Sequence, residues 1–488
     1  MKFITQFLEF CFSLIEYGLK FLFEFTEVAI SSIPRKKEGY HAAFTPTSTV
    51  LSPDYRGFCL TGDKNLSVKN TYQNALVVGG TGTGKSSIIL LPSIYTMQGS
   101  LVINDPSGEL FSKSFWYLGS KGYEIKTLNF ANPGNSSGYN PLQRANSSSE
   151  IQKVASLLIQ NALGENSKDP FWNSQGIALL SMLITILKKQ TGGFKDLYNV
   201  RLLLNQLGAN PEKIDRLFSD FGDENLFNEY KSFLAYDEKI INSVIATCKS
   251  ALQIFNDEAV ARVTSFDSIE FSDFRKQPTA LFIQNSVADQ KYYSVLTSIF
   301  FEQFFAYIMS RFPDKEEQDI FFLIDECSSL KLPTLPLAVA NVRKHRSGIM
   351  LIVQDFFQIV HHYGKYEAEA IKSNCFAKLY FTGQGIETAK ELEQTLGKFE
   401  FEDKEKKKNI RPLMTADEIR TMKKSQALLI CGHYPPVMVK LKPYYENGRF
   451  RNNDRIHPGL SGLHTPAPGG EILFETVPTL DLNLVESE

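Results

Sequence analysis

Between Asn74 and Ser87 the chain reads NALVVGGTGTGKSS, and few folds can house that run. The apolar Ala75, Leu76, Val77 and Val78 meet a glycine loop, and Ile88 to Leu91 start a second apolar run. Gly79, a spacer, Gly84, Lys85 and Ser86 complete the Walker A pattern, which belongs between a buried strand and a helix. Glycines at 79, 80, 82 and 84 permit backbone angles that turn successive N–H groups onto a phosphate. Thr81, Thr83 and Ser87 complete the cradle, Lys85 brings a point charge, and the Ser86 hydroxyl suits Mg²⁺. The positive end of the following helix points at the same place.

A strand, a phosphate loop and a helix imply an α/β domain, and 488 residues suggest two or three domains in all. A net charge of −2 offers no global attraction to nucleic acid, so any such contact is local. Cys11, Cys59, Cys248, Cys327, Cys375 and Cys431 are scattered without a CxxC pair, which fits a reducing compartment rather than a zinc site or disulfide framework.

Downstream, Ser100 to Asn104 (SLVIN) reads as a buried strand ending in Asp105-Pro106-Ser107-Gly108-Glu109. Its carboxylates are either ligand-facing groups at a strand end or a capped turn. Pro46 to Asn70 is expected to supply strands leading into the loop, and Lys121 to Phe130 a further strand. Residues 146–275 lose the strand texture. Glu150 to Leu163, Phe171 to Lys188 and Asp237 to Phe255 have helical spacing, so an all-α insertion is expected. With 13 Lys and Arg against 17 Asp and Glu, the insertion presents no basic face.

Strand texture returns at Pro278 to Gln284. The aromatic run Phe300, Phe301, Phe304 and Phe305 lacks interleaved basic residues and is expected in the core rather than as a base-stacking platform. Ile320 to Ile324 followed by Asp325 and Glu326 fits a Walker B strand, with Asp325 serving the metal and Glu326 the attacking water. Asn341 to Gln354 leads from a basic helix end into another strand. Arg343 and Arg346 are candidates for an arginine finger, with two surface charges as the alternative.

The pieces GGTGTGKSS, SLVINDPSGEL, GYNPL, DPFWNSQGIALL, FFLIDECSSL, GIMLIVQDFFQI and RPLMTADEI, in order over about residues 50 to 430, resemble the conjugative coupling proteins. That ATPase family links DNA-processing complexes to type IV secretion channels. The resemblance implies a RecA-like P-loop ATPase domain, residues 45–145 and 276–442, interrupted by the all-α domain 146–275. It also implies ATP and Mg²⁺ as cofactors, Gln354 as the residue that senses the γ-phosphate or places water, and a homo-hexamer. Partners would be single-stranded DNA with its relaxase, or a protein cargo, and the channel components. Its place would be the cytoplasmic face of the bacterial inner membrane, or the cytoplasm. Two departures stand out: Ser107 replaces a usual lysine, and plain transmembrane helices are not evident at the amino terminus. A duplex-DNA motor and a nucleotide-dependent recruitment adaptor share the Walker motifs and remain alternatives.

Residues 1–37 are expected to hold an amphipathic helix, its polar stripe running Gln6, Glu9, Ser13, Glu16, Lys20, Glu24 and Glu27. It packs on a partner or lies on a membrane, with Arg35, Lys36 and Lys37 as a basic anchor. Lys404 to Lys408 is a solvated charge run or a DNA contact. Residues 456–488 carry no Lys or Arg and read as an acidic mobile tail.

Overall fold

The computed structural model describes residues 39–163, 170–192, 195–285, 288–402 and 406–455; the amino-terminal helix and acidic tail expected above lie outside them. The described chain forms two compact units, one of residues 39–43 with 396–413, the other of residues 44–395 with 414–455.

The larger unit is built on a nine-stranded sheet. Its strands in chain order are β1 (Ala75–Val78), β2 (Ser100–Asn104), β3 (Glu124–Leu128), β4 (Thr279–Ile283), β5 (Ile320–Ile324), β6 (Ser347–Val353) and β7 (Ala377–Phe381), with β10 (Gln426–Cys431) and β11 (Val437–Lys440) added later. Across the sheet the order is β11-β10-β7-β1-β6-β5-β2-β4-β3. From β7 to β3 every pairing is parallel, while β10 and β11 run antiparallel at one edge. Strands β1, β2, β4, β5 and β6 are buried along their whole length, the reason they read as continuous apolar runs rather than alternating ones.

Strand β6 separates β1 from β5. Val78 is level with Val353, and Ile324 with Leu351, so the carboxyl ends of all three strands emerge on one edge. Ligands of open α/β sheets bind at such an edge.

After the glycine loop, Lys85–Leu90 forms a π turn that hands over to α1 (Leu91–Thr96). Pro92 explains the widened turn: its ring lacks an N–H and crowds the carbonyl four residues back, that of Ile88. Helix α2 (Glu109–Ser120) follows β2.

Residues 146–275 contain no strand among the described residues; α3 (Ser148–Leu163), α4 (Pro170–Lys189), α5 (Leu197–Ala209), α6 (Pro211–Phe221), α7 (Glu224–Leu234), α8 (Glu238–Ala251) and α9 (Glu258–Thr264) fill them. Helices α3, α4 and α8 pack together. At Gly176 a Cβ would stand 2.9 Å from Ile159, so glycine lets α4 approach α3 closely. Pro170–Lys188 is long and apolar enough to cross a membrane, but Leu179, Leu180, Leu183, Ile184, Ile186 and Leu187 are buried within this helical layer.

Helix α10 (Gln290–Ser310) returns to the sheet, and Phe300, Phe301, Phe304 and Phe305 are fully buried, in edge-to-face and tilted ring contacts among themselves and with Phe322. They are core. Past β5 come α11 (Leu335–Asn341), α12 (Phe356–Ser373) and α13 (Ile386–Leu396).

Two sequence expectations differ from the structure. Pro46 to Asn70 does not form strands. Apart from isolated bridges at Ser52, Cys59 and Asn65 it is loop, with single turns at Thr47–Thr49 and from Val68. Its buried backbone and side chains bond to α1 instead: Cys59 N–H donates to Ser93 Oγ (2.9 Å), and Asn65 Nδ2 to Thr96 Oγ1 (2.5 Å). Residues 396–413, expected inside the nucleotide domain, form instead the hairpin of β8 (Lys398–Glu402) and β9 (Lys408–Pro412), to which Tyr40 and Ala42 add backbone bonds. Lys406, Lys407 and Lys408 are exposed on it.

Asn74 pins the start of β1. It sits at φ 63°, in the left-handed region that asparagine tolerates better than most residues. Its Nδ2 donates to Val339 O (2.7 Å) and Asn374 O (3.3 Å), and its Oδ1 accepts from Ile349 N–H (2.9 Å). One side chain therefore joins β1 to β6, α11 and the end of α12. Asn74→Ala should cost roughly 2–4 kcal/mol, from orphaned buried groups plus backbone strain, read as a lowered urea midpoint. Asn74→Gly should recover about 1 kcal/mol of that. An unchanged midpoint for Asn74→Ala would remove the pinning role.

Candidate nucleotide and metal site

The loop from Gly79 to Ser87 leaves β1 at the common edge. Gly79 N–H donates to Val353 O (3.1 Å), and Gln384 Nε2 to Val78 O (3.1 Å) and Phe381 O (2.8 Å), which fixes its first turn. Gly84 stands at φ 90°, where a Cβ would lie 2.8 Å from Ile88 Cδ1. At Gly80 and Gly82 a Cβ would meet nothing, so these glycines face open space, the room a phosphate needs. Thr83 Oγ1 donates to Gly80 O (2.8 Å) and Ser87 Oγ to Gly84 O (3.2 Å), both bracing the loop. Thr81 is exposed at its tip.

Lys85 Nζ donates to Gly79 O (2.6 Å) and Gly80 O (2.9 Å), which centres the ammonium on the loop. Burial lowers its pKa, opposed by the nearby Asp325 and Glu326. The Ser86 hydroxyl takes no hydrogen-bond partner among the described residues.

Across β6, Asp325 and Glu326 follow β5. Burial, with Glu326 next to it, pushes the Asp325 carboxyl up to about 6 against the pull of Lys85. Glu326 adopts φ 50°, ψ 43°, a left-handed conformation that costs roughly 1–3 kcal/mol in a non-glycine residue. The neighbouring bonds hold it there. Glu326 N–H donates to Asp325 Oδ1 (3.0 Å), Ser329 donates to Glu326 O through N–H (2.9 Å) and Oγ (2.8 Å), and Gln290 Nε2 holds Ser329 Oγ at 2.5 Å. Gln354, exposed at the end of β6, lies in the strand order between the loop and these carboxylates.

Ser86 and Asp325 offer hard oxygen donors, and the carboxylates of Asp325 and Glu326 both act on the Lys85 ammonium. That donor set and charge balance suit Mg²⁺.

The remaining sequence candidates resolve differently. Asp105 is buried and bonded into its own turn: Oδ2 accepts from Phe111 N–H (2.8 Å) and Oδ1 from Ser107 Oγ (3.4 Å), while Glu109 pairs with Lys113. The capped turn is the structural role, although Asp105 still raises the pKa of Asp325.

Arg346 has no donor left for a finger. Its Nε meets Asp319 Oδ1 (2.8 Å), Nη1 reaches Asp314 O (2.6 Å) and Lys315 O (3.2 Å), and Nη2 reaches Glu317 O (2.7 Å). It is a clamp on the segment entering β5, joined by Tyr72 Oη to Asp319 (2.7 Å). Arg343 is exposed and, among the described residues, reaches only Gln73 Oε1 (3.3 Å). Both arginines precede β6, at the edge opposite their own phosphate loop, so neither reaches it in cis.

Sequence reasoning missed Asn104 and Gln384. Asn104 Nδ2 donates to Asp325 O (2.7 Å) and aims the turn that carries both carboxylates. The asparagine ending SLVIN was its available signal, while Gln384 had none, because its contacts are tertiary.

A family model described as "Type IV secretory system Conjugative DNA transfer" matches residues 31–458. The chain is 22% identical to Protein VirD4 of Rhizobium rhizogenes over 416 residues, 79% of this chain and 60% of that protein. It is 25% identical to the conjugal transfer protein TraG of Escherichia coli over 361 residues, 67% of this chain and 55% of the relative. The chain thus spans about 60% of the length of the VirD4 relatives it matches. Among solved structures, the conjugative coupling protein TrwBdeltaN70 with sulphate superposes at a TM-score of 0.67, with 19% identity over 84% of this chain and 96% of that one. TrwB in complex with ADP and Mg²⁺ gives 0.66 at 19% identity, over 84% and 96%. These superpositions establish the shared fold.

Proposed function

Since the chain belongs to the type IV secretory system conjugative DNA-transfer family, we propose that it is an ATPase that drives DNA toward a secretion channel. The observation that carries the chemistry is Glu326, held beside Asp325 with the single strand β6 between them and the phosphate loop. Its relative TrwB has been solved with ADP and Mg²⁺ and with an ATP analogue, which supports the same ligands here.

In this reading the N–H groups of Gly79 to Ser87 cradle the phosphates and Lys85 faces the β and γ groups. Ser86 and Asp325 hold Mg²⁺, which supplies charge neutralisation to the phosphate oxygens. Glu326 orients the attacking water and takes its proton. Gln354 stands where a side-chain amide can detect the γ-phosphate. The cargo is single-stranded DNA with its relaxase, delivered at the cytoplasmic face of the bacterial inner membrane to components of the channel. Copies of the chain form a hexameric ring, and Arg343, the less engaged of the two arginines, faces the nucleotide of the neighbouring copy.

Two measurements test this. Glu326→Gln keeps the shape of the side chain and loses its basicity, so Mg²⁺-ATP should still bind while hydrolysis falls on the order of 10²- to 10⁴-fold. Loss of ATP binding instead would make Glu326 structural or metal-bound. If the ring supplies the cation in trans, turnover per chain should rise with protein concentration and level off once rings form. Turnover independent of concentration would count against an interface-built site.

A further inference from the structure

A cavity of about 510 Å³ opens against β7 at the sheet edge opposite the phosphate loop. Lys378, in the middle of β7, lines it together with Arg343, Lys372, Val339, Phe376 and Leu392. Lys372 is neutralised: its Nζ lies 2.8 Å from Glu369 and 2.6 Å from Glu391, and 4.4 Å from the centre of the Phe356 ring. Among the described residues lining the cavity, Glu391 is the one carboxylate, and Lys372 has taken it.

Lys378 has no such partner. It is half-buried, and among the described residues it makes no ion pair and no hydrogen bond through its ammonium. Even partial burial of a charge without a partner is costly, and an anion entering the cavity would relieve that cost. Burial holds the Lys378 ammonium below its ordinary pKa, as befits a cation without a counter-ion. Arg343 adds a second positive charge, held only by the 3.3 Å bond to the neutral Gln73.

We propose that this cavity binds a phosphate monoester, with the phosphate between Lys378 and Arg343 and an apolar body against Phe376 and Leu392. Among the described residues Lys378 and Arg343 are two cations without ion pairs, and they outweigh the single negative charge left over when Lys372 meets two carboxylates; a phosphate monoester, at roughly −1.5 to −2 near neutral pH, suits that pair of cations. The volume lies within the range of about 300–1,000 Å³ typical of small-molecule sites and exceeds what a bare phosphate fills. The apolar lining gives the remainder of the ligand something to bury.

The test is calorimetric titration with inorganic phosphate and phenyl phosphate on a chain carrying Lys85→Ala, so that the phosphate loop does not contribute. Both should bind, phenyl phosphate more tightly, and neither should be replaced by chloride at equal ionic strength. Adding Lys378→Met, which keeps the stem of the side chain, should weaken both about tenfold or more, as expected for losing a charge-assisted bond. Arg343→Gln, at an exposed position that does not endanger the fold, should weaken both as well. No binding to the Lys85→Ala chain would overturn the proposal, as would affinities indifferent to both further substitutions. Lys378 has no part in the phosphate loop or the trans finger, so loss of binding in Lys378→Met separates this cavity from any trans role of Arg343.

Discussion

The pairing of β6 with β1 on one side and β5 on the other is the constraint on which the site depends. Parallel strands stand about 4.8 Å apart, so one intervening strand sets the phosphate loop about 10 Å from the carboxylates of β5. That separation is wide enough for a chain of phosphates, and Gln354, at the end of β6, lies in the strand order between the loop and the carboxylates. Side chains lock the arrangement at both ends. Asn74 ties β1 to β6 at the bottom, while Gln384 and Asn104 fix the two turns at the top.

Electrostatics and backbone strain concentrate at the same edge. Burial raises both Asp105 and Asp325 to about 6, and the Lys85 ammonium opposes the shift at Asp325. Glu326 occupies a left-handed conformation because bonds through Asp325, Ser329 and Gln290 compensate for it. Acids with raised pKa values and a glutamate of strained backbone next to a glycine loop form a surface prepared for a cation and a polyanion. The opposite edge is built otherwise, around the Arg346 clamp and the unpaired Lys378.

What the sequence revealed was local. The phosphate loop, the β5 carboxylates and the strands SLVIN and IFFLI are each written in a few consecutive residues, and the structure contains them. Phe300 to Phe305 were legible as core because no basic residue interrupts them. Tertiary partners hid the rest. Pro46 to Asn70 looked strand-forming, but Ser93 and Thr96 of α1 satisfy its polar groups in place of a ladder. Arg346 looked like Arg343 until Asp319 and three carbonyls used its donors. The hairpin of β8 and β9 separates from the sheet because its partner is residues 39–43, far away in sequence.

The central claim is that this site converts ATP hydrolysis into movement of single-stranded DNA, and steady-state ATP turnover tests it most directly. Turnover should be measured with single-stranded DNA, with duplex of the same sequence and without DNA, at one salt concentration because phosphate contacts are strongly screened. The account predicts that single strands stimulate turnover most and that duplex stimulates it less. Equal rates under all three conditions, or a preference for duplex, would contradict it.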